Sequence, residues 1–240
     1  MTKALLIARR EMAAYARSPL GAVIIAGSLL ILGILFYNWG LSQKLLSAEV
    51  LSEFFYAASG VTMGAALILS MRLIAEERQT QTFTLLNTAP VKDWEIILGK
   101  YLSALGMLTI IIVLTLYMPA LIFVNGKVSF GHIAVGYVGL LLVGSATIGI
   151  GLFASSLTKS QVVSAIVGAA ILVALILLWM LASAVEPPLN TVLAALAFHH
   201  QNFQPFQKGI LELKGVAYYA MVTYFFLLAA TKILEARRWR

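Results

Sequence analysis

Six long stretches of this chain contain no Asp, Glu, Lys or Arg: Ser18–Gln43, Phe54–Met71, Tyr101–Gly126, Val128–Thr158, Ser160–Val185 and Gly215–Thr231. A helix crossing about 30 Å of hydrocarbon needs about 20 apolar residues, so each stretch reads as a membrane span. The sixth is short, and Lys214 and Lys232 extend it by reaching to the two interfaces. Composition agrees, with 61% hydrophobic and 11% charged residues, where a soluble domain has about 45–50% and about 25%. The expected fold class is an all-α polytopic membrane protein with six transmembrane helices. Its other parts are an N-terminal amphipathic interfacial helix (1–18), a cytoplasmic loop between spans 2 and 3 (72–100), and a re-entrant or interfacial outer segment between spans 5 and 6 (186–214), all within one domain, 1–240.

Six spans place both termini on one side. That side, with the 72–100 and 157–160 segments, carries thirteen of the seventeen Lys and Arg; the other side has Lys44, Lys127, Lys208 and Lys214. The positive-inside rule makes the basic side cytoplasmic. The net charge of +7 is therefore mostly a topology signal, and nucleic acid is not needed to explain it. The absence of Cys excludes disulfides, zinc–thiolate sites and Cys nucleophiles. A charged N-terminus, with a first apolar stretch too long for an h-region, argues against a cleavable signal peptide.

Lys3, Arg10 and Arg17 recur every seven residues and form a stripe opposite Leu5, Ala8, Met12 and Tyr15, the pattern of a helix lying in the headgroup layer. Ser18-Pro19 ends it and starts the first span. Within 72–100, Glu76, Glu77 and Arg78 precede the mildly apolar TFTLLNTAP, and Asp93 is placed to cap a helix from Trp94. On the outer side, Leu189–Phe198 is apolar but too short to cross and ends at His199-His200, which reads as a re-entrant or interfacial helix. Phe198, Phe203, Phe206, Tyr218 and Tyr219 suit an aromatic interface belt. Adjacent histidines without nearby carboxylates or Cys read as gate-lining or interfacial, not as a metal site. Small residues crowd the fourth span (Gly136, Gly139, Gly144, Gly149, Gly151) and open the fifth, as helix packing within one subunit requires.

The 72–100 loop, LIAEERQTQTFTLLNTAPVKDWEIILGKYL, resembles the cytoplasmic loop of ABC-2 type transporter permeases. Glu76, Glu77, Arg78, Thr82, Leu85, Leu86, Thr88, Pro90, Gly99 and Lys100 fit that family's pattern, and Gln81 stands where the family has Gly. The N-terminal stretch through the first span is similar to the gliding-motility-type branch. So is the FHHQNFQPFQKGI segment with the last span, so the resemblance covers nearly the whole chain. It implies a permease subunit moving a substrate, by export or by extrusion of a lipid or amphipath, with the energy from a separate ABC ATPase. Arg10, Glu76, Glu77, Arg78, Thr82, Phe83, Leu85 and Leu86 would contact that ATPase, through a coupling helix near Thr82–Thr88. Phe198, His199, His200, Phe203 and Phe206 would form the outer gate. The implied partners are two ATPase copies, a second permease copy or paralogue, a periplasmic accessory protein and membrane lipid. The chain would hold no cofactor or metal and have no catalytic residue; ATP and Mg would be bound by the partner ATPase. The implied location is the cytoplasmic membrane of a bacterial or archaeal cell.

The chain has no phosphate loop of its own: Gly99-Lys100-Tyr101 and Gly126-Lys127-Val128 lack the hydroxyl residue and the glycine spacing. No charged residue lies deep in a proposed span, which argues against an ion-coupled carrier and for coupling from outside the membrane. Two alternatives stand beside transport. One is an ATP-driven mechanical or assembly module that transmits force to an envelope partner. The other is a membrane-embedded enzyme using His199 or His200, with only Glu186 and Glu212 as acidic companions.

Overall fold

The computed structural model describes residues 3–41, 47–81, 91–125 and 128–238. Its first helix, α1 (Lys3–Arg17), stops at Ser18. The Ser18 hydroxyl accepts the Gly21 N–H at 3.3 Å, and Pro19 takes the first helical position, where its missing N–H costs nothing. α2 (Pro19–Leu35) continues into a π-helical stretch, Phe36–Leu41, and α3 (Ser47–Met71) crosses back. The short α4 (Ala75–Gln79) follows. α5 (Asp93–Leu114), α6 (Tyr117–Asn125), α7 (Phe130–Leu157) and α8 (Gln161–Ala184) come next, then α9 (Leu189–Leu196), α10 (His200–Gln207) and α11 (Leu213–Arg238). There is no strand among the described residues. Six helical segments are long and apolar enough to span a bilayer, and the protein is an all-α multi-pass membrane protein.

Several boundaries move from those read off charge. α3 begins at Ser47, not Phe54, so Glu49 and Glu53 lie inside its first turns. α5 begins at Asp93, so Glu95 and Lys100 belong to the helix that carries the third span. A helix continues past the hydrocarbon as long as its charged turns find water or partners, so a charge-free window underestimates it. The cap of α5 is Lys92 rather than Asp93: the Glu95 carboxylate accepts the Lys92 backbone N–H at 2.9 Å. The third span is also interrupted at Thr115–Leu116. Pro119 has no N–H for the ladder and crowds the carbonyl of Thr115, so α6 starts afresh.

α7 is the hub, packing on α3, α5, α8, α10 and α11. Its glycines make this possible. A Cβ on Gly136, Gly139, Gly144 or Gly151 would come within 2.6 Å of Phe55, Phe206, Leu108 or Ser70 respectively. The apolar windows of α3 and α7 are 61% buried, while those of α8 and α11 are 17% buried and turn most of their surface outward.

Candidate functional site

The two ends of the bundle are built differently. At the end carrying α1 and α4, charged side chains tie four helices together. Lys100 on α5 is 1% exposed; its Nζ lies 2.8 Å from Glu77 Oε1 on α4 and 3.5 Å from Glu11 Oε1 on α1. Arg72 pairs with Glu76 at 2.8 Å, one turn on, and its guanidinium sits 4.9 Å above the Tyr15 ring. The Tyr15 hydroxyl in turn donates to the Leu69 carbonyl at 2.7 Å. Arg78 donates to the Ser156 carbonyl. Ser155 Oγ accepts the N–H groups of Ile74 and Ala75 at 3.0 and 2.9 Å and donates to the Met71 carbonyl, serving the otherwise unsatisfied first turn of α4.

α1 reaches this position because Gly99 and Gly106 offer α5 backbone without side chains. A Cβ on Gly99 would stand 2.8 Å from Ala4 O and Ile7 Cβ, and one on Gly106 2.6 Å from Met12 Sδ. Ala4, Ala8 and Tyr15 are buried on this seam, while Leu5, Leu6 and Met12 stay exposed. The apolar face read from the sequence is thus divided: Ala8 and Tyr15 pack inward, Met12 stays partly exposed while its sulfur rests on Gly106, and Leu5 stays outside. Arg10 is exposed beside Glu11 at 3.5 Å. Glu76, Glu77 and Arg78 therefore have partners within the chain. Gln81 has φ 59°, the left-handed conformation that glycine adopts freely, at the position where the family pattern has Gly. Thr82, Phe83, Leu85 and Leu86, with the expected coupling helix, lie outside the described residues.

At the other end, α9 and α10 form a hairpin that dips back into the bundle. Its tip hydrogen-bonds Ser59, which is twelve residues from either end of α3, about 18 Å of helix. Backbone at such depth must be satisfied by protein. The Phe198 N–H donates to Leu175 O on α8 at 3.1 Å. Asn202 Nδ2 donates to the carbonyls of Ala195 and Ala197, the Tyr218 hydroxyl to that of Leu196 and the Tyr219 hydroxyl to that of Phe198. Four successive carbonyls at the end of α9 are served in this way. Gly209 closes the return of the hairpin at φ 76°, packed on His132, whose ring bonds Gln207 O at 2.9 Å.

Phe198, Phe203, Phe206 and Tyr219 are fully buried here. They are the core of the hairpin and not a belt facing headgroups, because α7, with Gly139 bare, closes over Phe203 and Phe206. His199 stacks on Phe203 (5.0 Å), and His200 on Trp179 (4.7 Å). Burial, then the adjacent His200, pushes the His199 imidazole down to about 4, so it is neutral. Ser59 Oγ donates to the Tyr56 carbonyl at 2.7 Å, so His199 Nε2, also at 2.7 Å, is the donor to Ser59. This pair is the wrong way round for a base activating a hydroxyl nucleophile.

An apolar groove of about 780 Å³ runs between α2 and α3, from Leu20 to Leu35 along one wall and from Tyr56 to Ile68 along the other. Tyr56 and His199 close its hairpin end, and both also line a polar pocket of about 370 Å³ beyond them.

The family model for ABC-2 family transporter proteins matches residues 30–234. The chain belongs to this family, as the membrane component of an ABC transporter. Comparison with curated proteins gave no match. The family pattern includes Lys100 without giving it a role, and no motif in the sequence marks Ser155 or Asn202. Lys100 carries a signal, as a cation inside α5 directly before a long apolar run.

Proposed function

We propose that this chain is the permease subunit of an ATP-driven exporter, worked from its α1 end by two copies of a separate ABC ATPase. ATP and Mg are bound by that ATPase. A second permease copy or paralogue completes the path, and the complex sits in the cytoplasmic membrane with both termini inside. The distribution of Lys and Arg supports that orientation. The cargo moves along the α2–α3 groove, whose apolar lining suits an apolar or amphipathic molecule.

One observation carries the reading. The Lys100–Glu77–Glu11 cluster makes α1, α4 and α5 a single body, directly before the 82–90 segment. A push on that segment reaches α5 along the chain and α1 through this cluster, and packed elements respond by discrete shifts rather than by bending. Glu77 serves this linkage from inside. Arg10, with the side chains of 82–86, makes the outward contact.

The test is capture of the ATPase encoded with this chain, by tagged full-length permease in detergent. Arg10→Glu with Leu85→Asp and Leu86→Asp is expected to weaken capture at least tenfold with thermal stability unchanged. Undiminished capture and undiminished ATP turnover in lipid would overturn the proposed contact.

A further inference from the structure

The polar pocket above the groove contains a specific chemistry. α3 lays Glu53, Tyr56, Gly60 and Gly64 along one face, at spacings of three, four and four residues. The stripe passes from a carboxylate through an aromatic ring to bare backbone. Glu53 and Tyr56 line the polar pocket, and Tyr56, Gly60 and Gly64 line the groove, so the two cavities share one continuous wall.

The pocket is rich in acceptors. Glu53 makes no ion pair among the described residues, although it is half-buried. His199, donating from Nε2 to Ser59, leaves Nδ1 as an acceptor. Gln204 and Gln207 add amide oxygens along with amide N–H groups, His200 lines the pocket stacked on Trp179, and Tyr56 adds a ring face. No Lys or Arg is among the described residues that line it. Glu53 is the one carboxylate among those lining residues, and it would repel an anionic head. A cationic N–H donor would meet a carboxylate, neutral acceptors and a ring face that attracts cations.

We infer that the pocket and groove together bind an amphiphile with an ammonium head, the head against Glu53 and Tyr56 and the alkyl chain along Gly60 and Gly64. This rests on the groove being the cargo path. The ammonium can belong to an amine-headed membrane lipid or to a free long-chain amine.

Trp179 is a built-in reporter. The chain has four tryptophans, so replacing Trp39, Trp94 and Trp239 with Phe leaves Trp179 alone. Full-length protein in nanodiscs of choline-headed phospholipid is titrated with dodecylammonium, dodecanol and dodecyl sulfate while Trp179 emission is followed. Dodecylammonium is expected to act at tenfold or more lower membrane fraction than the other two. Glu53→Gln should raise its midpoint about tenfold, to that of dodecanol. Gly64→Phe adds a ring where a Cβ meets nothing within 4 Å, so the fold tolerates it while the groove is filled; it should weaken all three probes.

Equal response to the three probes, indifferent to Glu53→Gln but lost in Gly64→Phe, would overturn the ammonium head and leave the groove reading standing. A response that needs Glu53 but ignores Gly64→Phe would overturn the groove reading instead, and with it the seated chain. Stronger action by dodecyl sulfate would overturn the charge assignment. In nanodiscs of ethanolamine-headed phospholipid, competition with dodecylammonium identifies the bilayer as the source, and its absence identifies a free amine.

Discussion

The α1 end and the hairpin end solve the same problem, holding short irregular segments against long helices, with opposite chemistry. At the α1 end the fasteners are ions: Lys100 with Glu77 and Glu11, and Arg72 with Glu76. At the hairpin they are neutral: Asn202, Tyr218 and Tyr219 donate to backbone carbonyls, and His199 to Ser59. The difference follows depth. Glu11, Glu77 and Glu76 keep part of their surface exposed, so their charges retain some solvent. The hairpin tip meets α3 at Ser59, inside its charge-free stretch, where an unpaired carbonyl costs several kcal/mol. Ion pairs near water can be broken and remade as a segment moves. Neutral bonds to four consecutive carbonyls hold one shape.

The comparison is tested most severely at Lys100. Lys100→Met removes the ammonium that Glu77 and Glu11 share, and breaking such a buried pair costs about 3–5 kcal/mol. Thermal unfolding in detergent should show that loss, and Lys100→Met with Glu77→Gln should recover much of it. If the single variant melts as the parent does, the cluster is not a fastener. A smaller loss is expected at the hairpin. Asn202→Leu leaves the carbonyls of Ala195 and Ala197 without donors, at about 1–3 kcal/mol. Amide exchange at Phe198 and Phe203 should quicken while that of α1 stays unchanged; equal quickening at both ends would show that they are not independent.

The smallest effect is in pH. The His199 imidazole titrates lower in the folded protein, about 4 against an ordinary 6.5. The unfolded chain therefore takes up this proton first. Hairpin stability should be level above pH 6.5 and fall as pH drops from 6.5 toward 4, by at most about 1.4 kcal/mol per pH unit from this residue. His199→Gln should flatten the slope, and an unchanged slope in that variant would assign it to another group.

Much of this architecture is legible in residue order. The six spans, the break at Ser18-Pro19 and the apolar segment too short to cross all follow from where charge and proline fall, because lipid penalises charge and unpaired backbone. The family pattern also marked Gly99 and Lys100. Only the structure shows that Gly99 lets α1 approach and that Lys100 anchors it. The family resemblance assigns Glu76, Glu77 and Arg78 to a partner protein; Arg72–Glu76 is a pair one helical turn apart, while the Lys100 partner of Glu77 and the Ser156 carbonyl partner of Arg78 are recognisable only when α5 and α7 are in place. Gln81 shows the converse: its backbone is in the left-handed region that glycine enters most readily, which composition cannot reveal.

What the sequence determined by itself is the number of crossings, the class of fold and the absence of a nucleotide-binding loop, since each depends on residue type and local spacing alone. What the tertiary structure decided is which polar groups meet: Lys100 with two carboxylates, Ser155 with the start of α4, and Ser59 with His199. Those pairings join residues up to 140 positions apart, as Ser59 and His199 are. No local pattern specifies them, because they are set by how the helices and the hairpin pack together, with α7 as the hub.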